Sequence, residues 1–244
     1  MALGDTKWIV RYQIFRQKEG EASHFQDFLV LVDPEEHVID GLERIWAYQD
    51  PTITFEHACH HGVCGSCGMR VNGEEKLTCI TKIQDVTFDG GTIKLEPLRN
   101  FSVISDLVVD MTPLYAVMEL VGEKQIYTLT EAPLGKGIVK PSNNTSNTSN
   151  ITRLGDCIEC GLCVSACPIV ASDEEYLGPA ALAAIHYQGK QGVEKLLSLL
   201  DSASGVWRCH SAFDCSAVCP AELDPSGRIM ALRKEIISRR LGGG

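Results

Sequence analysis

The residues most able to do chemistry in this sequence are its cysteines. Eleven of them fall into three runs along 244 residues. Cys59, Cys64, Cys67 and Cys79 are spaced C-x4-C-x2-C-x11-C. Cys157, Cys160, Cys163 and Cys167, followed by Pro168, read C-x2-C-x2-C-x3-C-P. Cys209, Cys215 and Cys219, followed by Pro220, form the third run. Thiolates are soft ligands, and several at short spacing select zinc or iron–sulfur clusters. An odd number packed so densely argues against the disulfide framework of a secreted domain.

The first run has the plant-type ferredoxin spacing for a [2Fe–2S] cluster. Three thiolates from one short loop must all turn inward. Gly62, Gly65 and Gly68 give the backbone between them freedom to curl. Cys79, placed on the neighbouring strand expected after the loop, closes the cage. The alternative is a structural zinc site, but zinc favours paired C-x2–4-C knuckles, which this loop matches poorly.

The second run is that of bacterial ferredoxins, in which the first three cysteines hold one cubane and the fourth holds a different one. Laid on the same template, Cys209 takes the first position of the third run, Cys215 the third and Cys219 the fourth. Ala212 stands at the second. The crossing rule then assigns Cys157, Cys160, Cys163 and Cys219 to a [4Fe–4S] cluster and leaves Cys167, Cys209 and Cys215 for the other. A cubane corner facing Ala212 has no thiolate, so the simplest occupant is a [3Fe–4S] cluster. The alternative is a four-iron cluster completed by hydroxide or an outside ligand. On this assignment no cysteine is spare, and three clusters in one small chain make an electron relay. The sequence contains neither a G-x-G-x-x-G fingerprint nor a G-x-x-x-x-G-K-[ST] phosphate loop, which places bond-making on partners.

The elements that must position these ligands fall into two groups. Residues 7–15 and 25–33, rich in β-branched and aromatic side chains, read as strands around a polar turn at 18–23. Val38, Leu42, Ile45 and Trp46 recur at helical spacing over 38–48. After the cysteine loop 59–67, segments 69–71 and 76–81 flank Asn72–Gly73, a hairpin signal, and 92–96 is a last strand. Beyond Phe101 the pattern turns helical over 106–121, with Pro113 starting a new helix or kinking the first. Helical patterns follow at 180–187, where Pro179 suits a helix start, and at 192–200 and 226–239. Residues 141–150 are a polar low-complexity stretch that reads as a flexible surface loop. The expected fold is α+β. A plant-type ferredoxin (β-grasp) domain spans 1–105, and an all-helical bacterial-ferredoxin-like domain spans 106–244.

Composition limits the functions available. The formal net charge is −10, which disfavours a basic groove for nucleic acid and suits docking to a basic partner surface. Residues 1–10 lack the pattern of a signal peptide, and no run approaches the roughly 18 apolar residues of a membrane span. Reduced cysteines in a cytoplasmic compartment are expected, with any membrane anchor supplied by another chain.

A plant-type ferredoxin domain followed by these two cubane motifs resembles the iron–sulfur subunits of succinate dehydrogenase and quinol:fumarate reductase, the complex II family. The resemblance covers nearly the whole chain. It rests on Cys59-His-His-Gly-Val-Cys-Gly-Ser-Cys67, on the run Cys157 to Pro168, on Leu177-Gly-Pro-Ala-Ala181, and on Trp207-Arg-Cys-His-Ser211 through Cys219-Pro220. Asn72–Gly73 and Asp224–Pro225 also resemble family positions. The resemblance implies a flavoprotein partner carrying FAD, at which succinate and fumarate interconvert. It also implies electron transfer through the three clusters to quinone, and cytochrome b-type membrane-anchor subunits that often carry haem b. The expected location is peripheral, on the cytoplasmic face of the cell membrane. Pro168, His210 and Arg233 fall at or near positions the family places by the quinone. Many ubiquinone-reducing relatives carry a Trp shortly after the proline matching Pro168. Here the segment is Ile169-Val170-Ala171-Ser172, a departure that favours menaquinone.

These residues also have purely structural readings. Pro168 and Pro220 can simply turn the chain, His210 can bond a neighbour, and Arg233 can be a solvated charge. His60 and His61 could ligate as in Rieske centres, but four cysteines already fill that loop. Two other functions compete: the iron–sulfur subunit of a soluble thiol-dependent fumarate reductase or heterodisulfide-reductase-like enzyme, and a zinc-stapled scaffold with no redox role. The first usually carries an added cysteine-rich domain, which the sequence to Gly244 lacks. Purified protein is expected to be brown, with broad visible absorption that bleaches on reduction. A colourless protein containing zinc in place of iron would select the scaffold.

Overall fold

The computed structural model describes residues 7–121 and 157–242; the polar stretch 141–150 lies outside the described residues. Strand β1 (Trp8–Arg16) pairs antiparallel with β2 (His24–Val32). Its alternation buries Val10, Tyr12 and Ile14, the pattern of a sheet with one face on the core. Strands β3 (Gly68–Val71), β4 (Glu74–Leu77) and β5 (Thr92–Glu96) complete a mixed five-stranded sheet of order β2-β1-β5-β3-β4, with β5 parallel to β1. Helix α1 (Val38–Tyr48) packs across it through Val38, Ile39, Leu42 and Ile45. The helix approaches closely at Gly41, where a Cβ would overlap the Tyr12 ring. Trp46, grouped by spacing with the inward residues, is instead about half exposed. The inward stripe passes through Gly41 rather than Trp46.

Two expected elements shift. The second arm of the Asn72–Gly73 hairpin ends at Leu77, so Cys79 lies in a turn beyond the strand. Thr78 causes the break. Its N–H and hydroxyl both donate to the Cys67 carbonyl, at 3.3 and 3.1 Å, which folds the chain back over the cysteine loop. The helix expected from residue 106 begins only at α2 (Thr112–Leu120), with Pro113 in its first turn. Before it run the short strands β6 (Val103–Ser105) and β7 (Val108–Val109).

The second unit is helical: α3 (Leu162–Ala166), α4 (Gly178–Tyr187), α5 (Gly189–Lys195), α6 (Leu197–Leu200), α7 (Asp214–Ala217) and α8 (Pro225–Leu241). The expected helix over 192–200 is two helices that break at Leu196. Small side chains from Ala180 to Ala184 let α4 sink into the second core, against Ile229, Leu232 and Ile236 of α8.

The units are joined by polar contacts as well as packing. Leu162 of α3 is buried in the core of the sheet unit. Glu75, almost wholly buried, accepts from Arg99 at 2.8 Å and from the Ser165 hydroxyl at 2.9 Å. The Asn100 amide reaches the carbonyls of Val164, Ser165 and Cys167 at 2.8–3.1 Å. It thereby satisfies acceptors that the end of α3 leaves open.

Asp106 ties the ends of the sheet unit together. Fully buried, it binds Lys18 at 2.7 Å and Arg16 at 3.2 Å and accepts the N–H groups of Thr54 and Gln17. Burial alone would raise its pKa. Lys18, the two N–H groups and Arg16 outweigh burial and hold it below the usual carboxylate range. Removing one partner of a buried ion pair typically costs about 3–5 kcal/mol, so Asp106→Asn is expected to destabilise the protein by about that much. Because the native pKa is lowered, the contribution is present above the unfolded value and lost as pH falls through the native one. Denaturant titrations at neutral and acid pH check both: the gap between parent and Asp106→Asn should shrink toward low pH.

Candidate metal centres

All eleven cysteines are free thiols, and the fold gathers them at three places. In the first, the curled loop faces the turn carrying Cys79. Cys64 bonds the Cys59 sulfur, and Cys79 bonds Cys67. The N–H groups of His61 and Val63 donate to Cys59 Sγ at 3.4 Å each. Together these bonds bring the Cys59 thiol down to about 6. Cys79 is buried beside Cys67 and is pushed up to about 12, by desolvation first.

The second place is an apolar cavity lined by Cys157, Cys160, Cys163 and Cys219, with Leu114, Met118 and Ala180 around them. Burial pushes Cys160 up to about 12 and Cys163 well above the usual thiol range, with the neighbouring cysteines adding to each. The third cavity is lined by Cys167, Cys209 and Cys215, with Ala212 among its walls. Burial, then the other two sulfurs, pushes Cys215 up to about 11. The two cavities are neighbours, since Cys163 lies within electrostatic reach of Cys215. Each helical cysteine run thus contributes its first members to one cavity and its last to the other.

The two helical runs share a backbone design. Glu159 and Gly161 have φ of 50° and 75°, and Ser211 and Phe213, at the equivalent positions, have φ of 60° and 67°. In each run the second left-handed residue caps a short helix, α3 or α7, whose second residue is a cysteine, Cys163 or Cys215. Ala212 occupies the place in this repeat that Cys160 holds in the other.

Converged thiols, apolar walls and N–H groups aimed at sulfur are what an iron–sulfur cluster requires. Ligation removes the thiol protons, so sites with raised thiol pKa values release protons on metal binding. The donor sets therefore fit the clusters expected from the spacing.

Of the three residues expected near quinone, Pro168 and His210 are exposed at the mouth of the third cavity. Arg233, on α8, is turned inward. Its Nε donates to the Val206 carbonyl at 2.8 Å, and its guanidinium reaches the carbonyls of Trp207 and Cys209. It clamps the segment that carries Cys209 rather than projecting into solvent. Two further residues are not visible in the spacing. Tyr176, buried, hydrogen-bonds Cys209, and Asn100 caps the helix that leads into Cys167. Both act on cysteines more than 30 residues away, beyond the reach of any local pattern.

Residues 9–116 match the family described as "2Fe-2S iron-sulfur cluster binding domain", and residues 153–223 match the "4Fe-4S dicluster domain". The chain is 36% identical over 219 residues to the fumarate reductase iron-sulfur subunit of Mycobacterium tuberculosis, covering 88% of this chain and 87% of the relative. It is 31% identical over 236 residues to the mitochondrial succinate dehydrogenase [ubiquinone] iron-sulfur subunit of Candida glabrata, covering 92% and 90%. A chain of the Mycobacterium smegmatis Sdh1 complex has the same fold, with a TM-score of 0.78 at 22% identity over 97% of this chain and 98% of that one.

The first and second cysteine sites meet at Gly65. Its φ is +77°, and an added Cβ would lie 2.7 Å from the Ile158 carbonyl and 3.0 Å from Cys160 Cα. Gly20 has the same φ with nothing within 4 Å of an added Cβ. A left-handed non-glycine residue costs roughly 1–2 kcal/mol, so Gly20→Ala is expected to lose about that much. Gly65→Ala should lose clearly more and weaken the magnetic coupling between the first two centres. Thermal unfolding and EPR of the two variants measure the difference.

Proposed function

The chain belongs to the iron–sulfur subunits of the succinate dehydrogenase and fumarate reductase family, and from that premise we propose the ligands and partners of its electron relay. It is the electron-transfer subunit of an oxidoreductase complex, with a [2Fe–2S] domain and a [4Fe–4S] dicluster domain. Family membership brings a flavoprotein and membrane-anchor subunits as its partners. Among the described residues no helix is long and apolar enough to cross a membrane.

In our reading Cys59, Cys64, Cys67 and Cys79 hold the [2Fe–2S] cluster. Cys157, Cys160, Cys163 and Cys219 hold the [4Fe–4S] cluster, and Cys167, Cys209 and Cys215 hold a [3Fe–4S] cluster. When bound, the clusters supply one-electron redox centres spaced through the chain. The chain's own work is to set their surroundings. N–H groups of residues 61 and 63 donate to Cys59, and that of Leu223 donates to Cys219. Such bonds and the dryness of the cavities are what tune cluster potentials. Arg233 and Tyr176 hold Cys209 in register from two sides.

Beyond the chain, we assign FAD to the flavoprotein and haem b to cytochrome b-type anchors. Quinone, with menaquinone favoured by Ile169-Val170-Ala171-Ser172, is assigned to the vicinity of Pro168, His210 and Arg233. The subunit would sit peripherally on the cytoplasmic face of the membrane. The division between its two domains is drawn at residues 105 and 106, with Leu107 and Val109 reaching back into the first core.

The observation that carries the three-iron assignment is Ala212, an alanine in the wall of a three-cysteine cavity, at the repeat position that Cys160 fills in the other run. Ala212→Cys is expected to add one iron per chain and to replace the three-iron EPR signal of the oxidised protein with that of a reduced four-iron cluster. An unchanged three-iron signal would mean that Ala212 does not face the open corner. A four-iron cluster already present in the parent would overturn the assignment.

A further inference from the structure

Two imidazoles and a carboxylate meet beside the first cysteine loop, outside every thiol set. His57 Nδ1 and His60 Nε2 are 3.1 Å apart, and Glu43 Oε1 lies 3.1 Å from the first and 3.2 Å from the second. Each side chain comes from a different part of the fold. Glu43 is on α1, His57 is in the irregular segment before the loop, and His60 is within the loop, at φ 59°. The imidazole of His57 stacks on Phe55 with the ring planes 20° apart, and His60 stands edge-on to it at 89°. Both rings therefore present a nitrogen to the same point. All three side chains are about one-third exposed, so the point is open to solvent on one side.

Protons alone satisfy this triangle poorly. An N–H is directional and serves one acceptor well. With one proton among the three atoms, at least one edge sets lone pair against lone pair at about 3.1 Å. With a proton on each nitrogen, two donors face one another. A cation answers all three lone pairs at once. For edges of 3.1–3.2 Å and zinc–ligand distances of about 2.0–2.1 Å, the ion would sit about 1 Å above the triangle, at the apex of a pyramid slightly steeper than that of a regular tetrahedron. Its fourth position would point to solvent. Imidazole and carboxylate are ligands suited to zinc.

We propose that Glu43, His57 and His60 form a binding site for a divalent transition-metal ion of the zinc type, with water in the fourth position. The ion would pin helix α1 to the segment on both sides of Cys59. Three protein ligands and an open face make it exchangeable rather than a permanent staple. The site uses no cysteine and stands whether or not the iron ligands are assigned as above.

The test uses the intact iron-loaded protein equilibrated with Zn2+, freed of excess metal, and analysed for zinc and iron in the same sample. The parent is expected to hold one zinc per chain with its iron undiminished. Glu43→Gln, on the helix and away from the loop, is expected to lose that zinc and keep the iron, as is His57→Asn. Three results would overturn the proposal: no zinc retained by the parent, equal zinc in parent and Glu43→Gln, or zinc gained only as iron is lost, which would place it on the thiols.

Discussion

Burying several thiols at one point is the constraint on which the rest of this structure depends. A thiolate in an apolar cavity is costly unless a cation shares it, and burial here drives Cys160 and Cys163 strongly toward the protonated form. The chain nonetheless brings sulfur atoms together three times. It does so by bending sharply beside the cysteines: Gly62 and Gly65 in the first loop, and Glu159, Gly161, Ser211 and Phe213 in the helical runs, all have positive φ. That three of these are not glycine marks the cost accepted to aim the side chains. The surrounding hydrogen bonds, from Asn100, Tyr176 and Arg233, hold bends that local preference would relax.

The closeness of the sites rests on a second economy, that of side-chain size. At Gly65 and Gly68 the sheet unit lies directly against Ile158, Cys160 and Leu162, and at Gly161 the helical unit lies against Met111 and Phe101. At Gly65 only hydrogen fits between the backbones, and at Gly68 and Gly161 an added Cβ would crowd its neighbours. The polar set Glu75–Arg99–Ser165 then locks the same seam from its rim. Rigid apposition of this kind is what a relay needs, because electron transfer falls off steeply with separation.

Much of this was legible in the sequence because it is local or templated. Alternation at Val10, Tyr12 and Ile14 marks a strand, Asn72–Gly73 marks a hairpin, and the two helical runs take their cysteines in the crossed pattern that the ferredoxin template dictates. What was not legible depends on partners distant in sequence. Asp106, reading as the start of a helix, is drawn instead into a buried cluster with Arg16 and Lys18. Cys79 leaves its strand because Thr78 bonds back to Cys67. The break at Leu196 has no proline or glycine to announce it. The setting of His57 is not written in its local spacing, since it depends on Glu43 of helix α1.

The crossing of the two helical runs also bears on biogenesis. A chain emerging from the ribosome completes its first thiol set once Cys79 is out, all four members lying within about twenty residues of one another in a unit able to fold early. Neither helical cavity has that independence. One lacks Cys219 until 62 residues after Cys157, and the other lacks Cys209 and Cys215 until 42 and 48 residues after Cys167. Until then Cys157 to Cys167 are exposed thiols with no finished cavity to enter, open to oxidation and to the wrong metal. The same interlacing that sets two centres side by side therefore makes their maturation late and joint, and gives any factor that guards nascent thiols a defined interval in which to act.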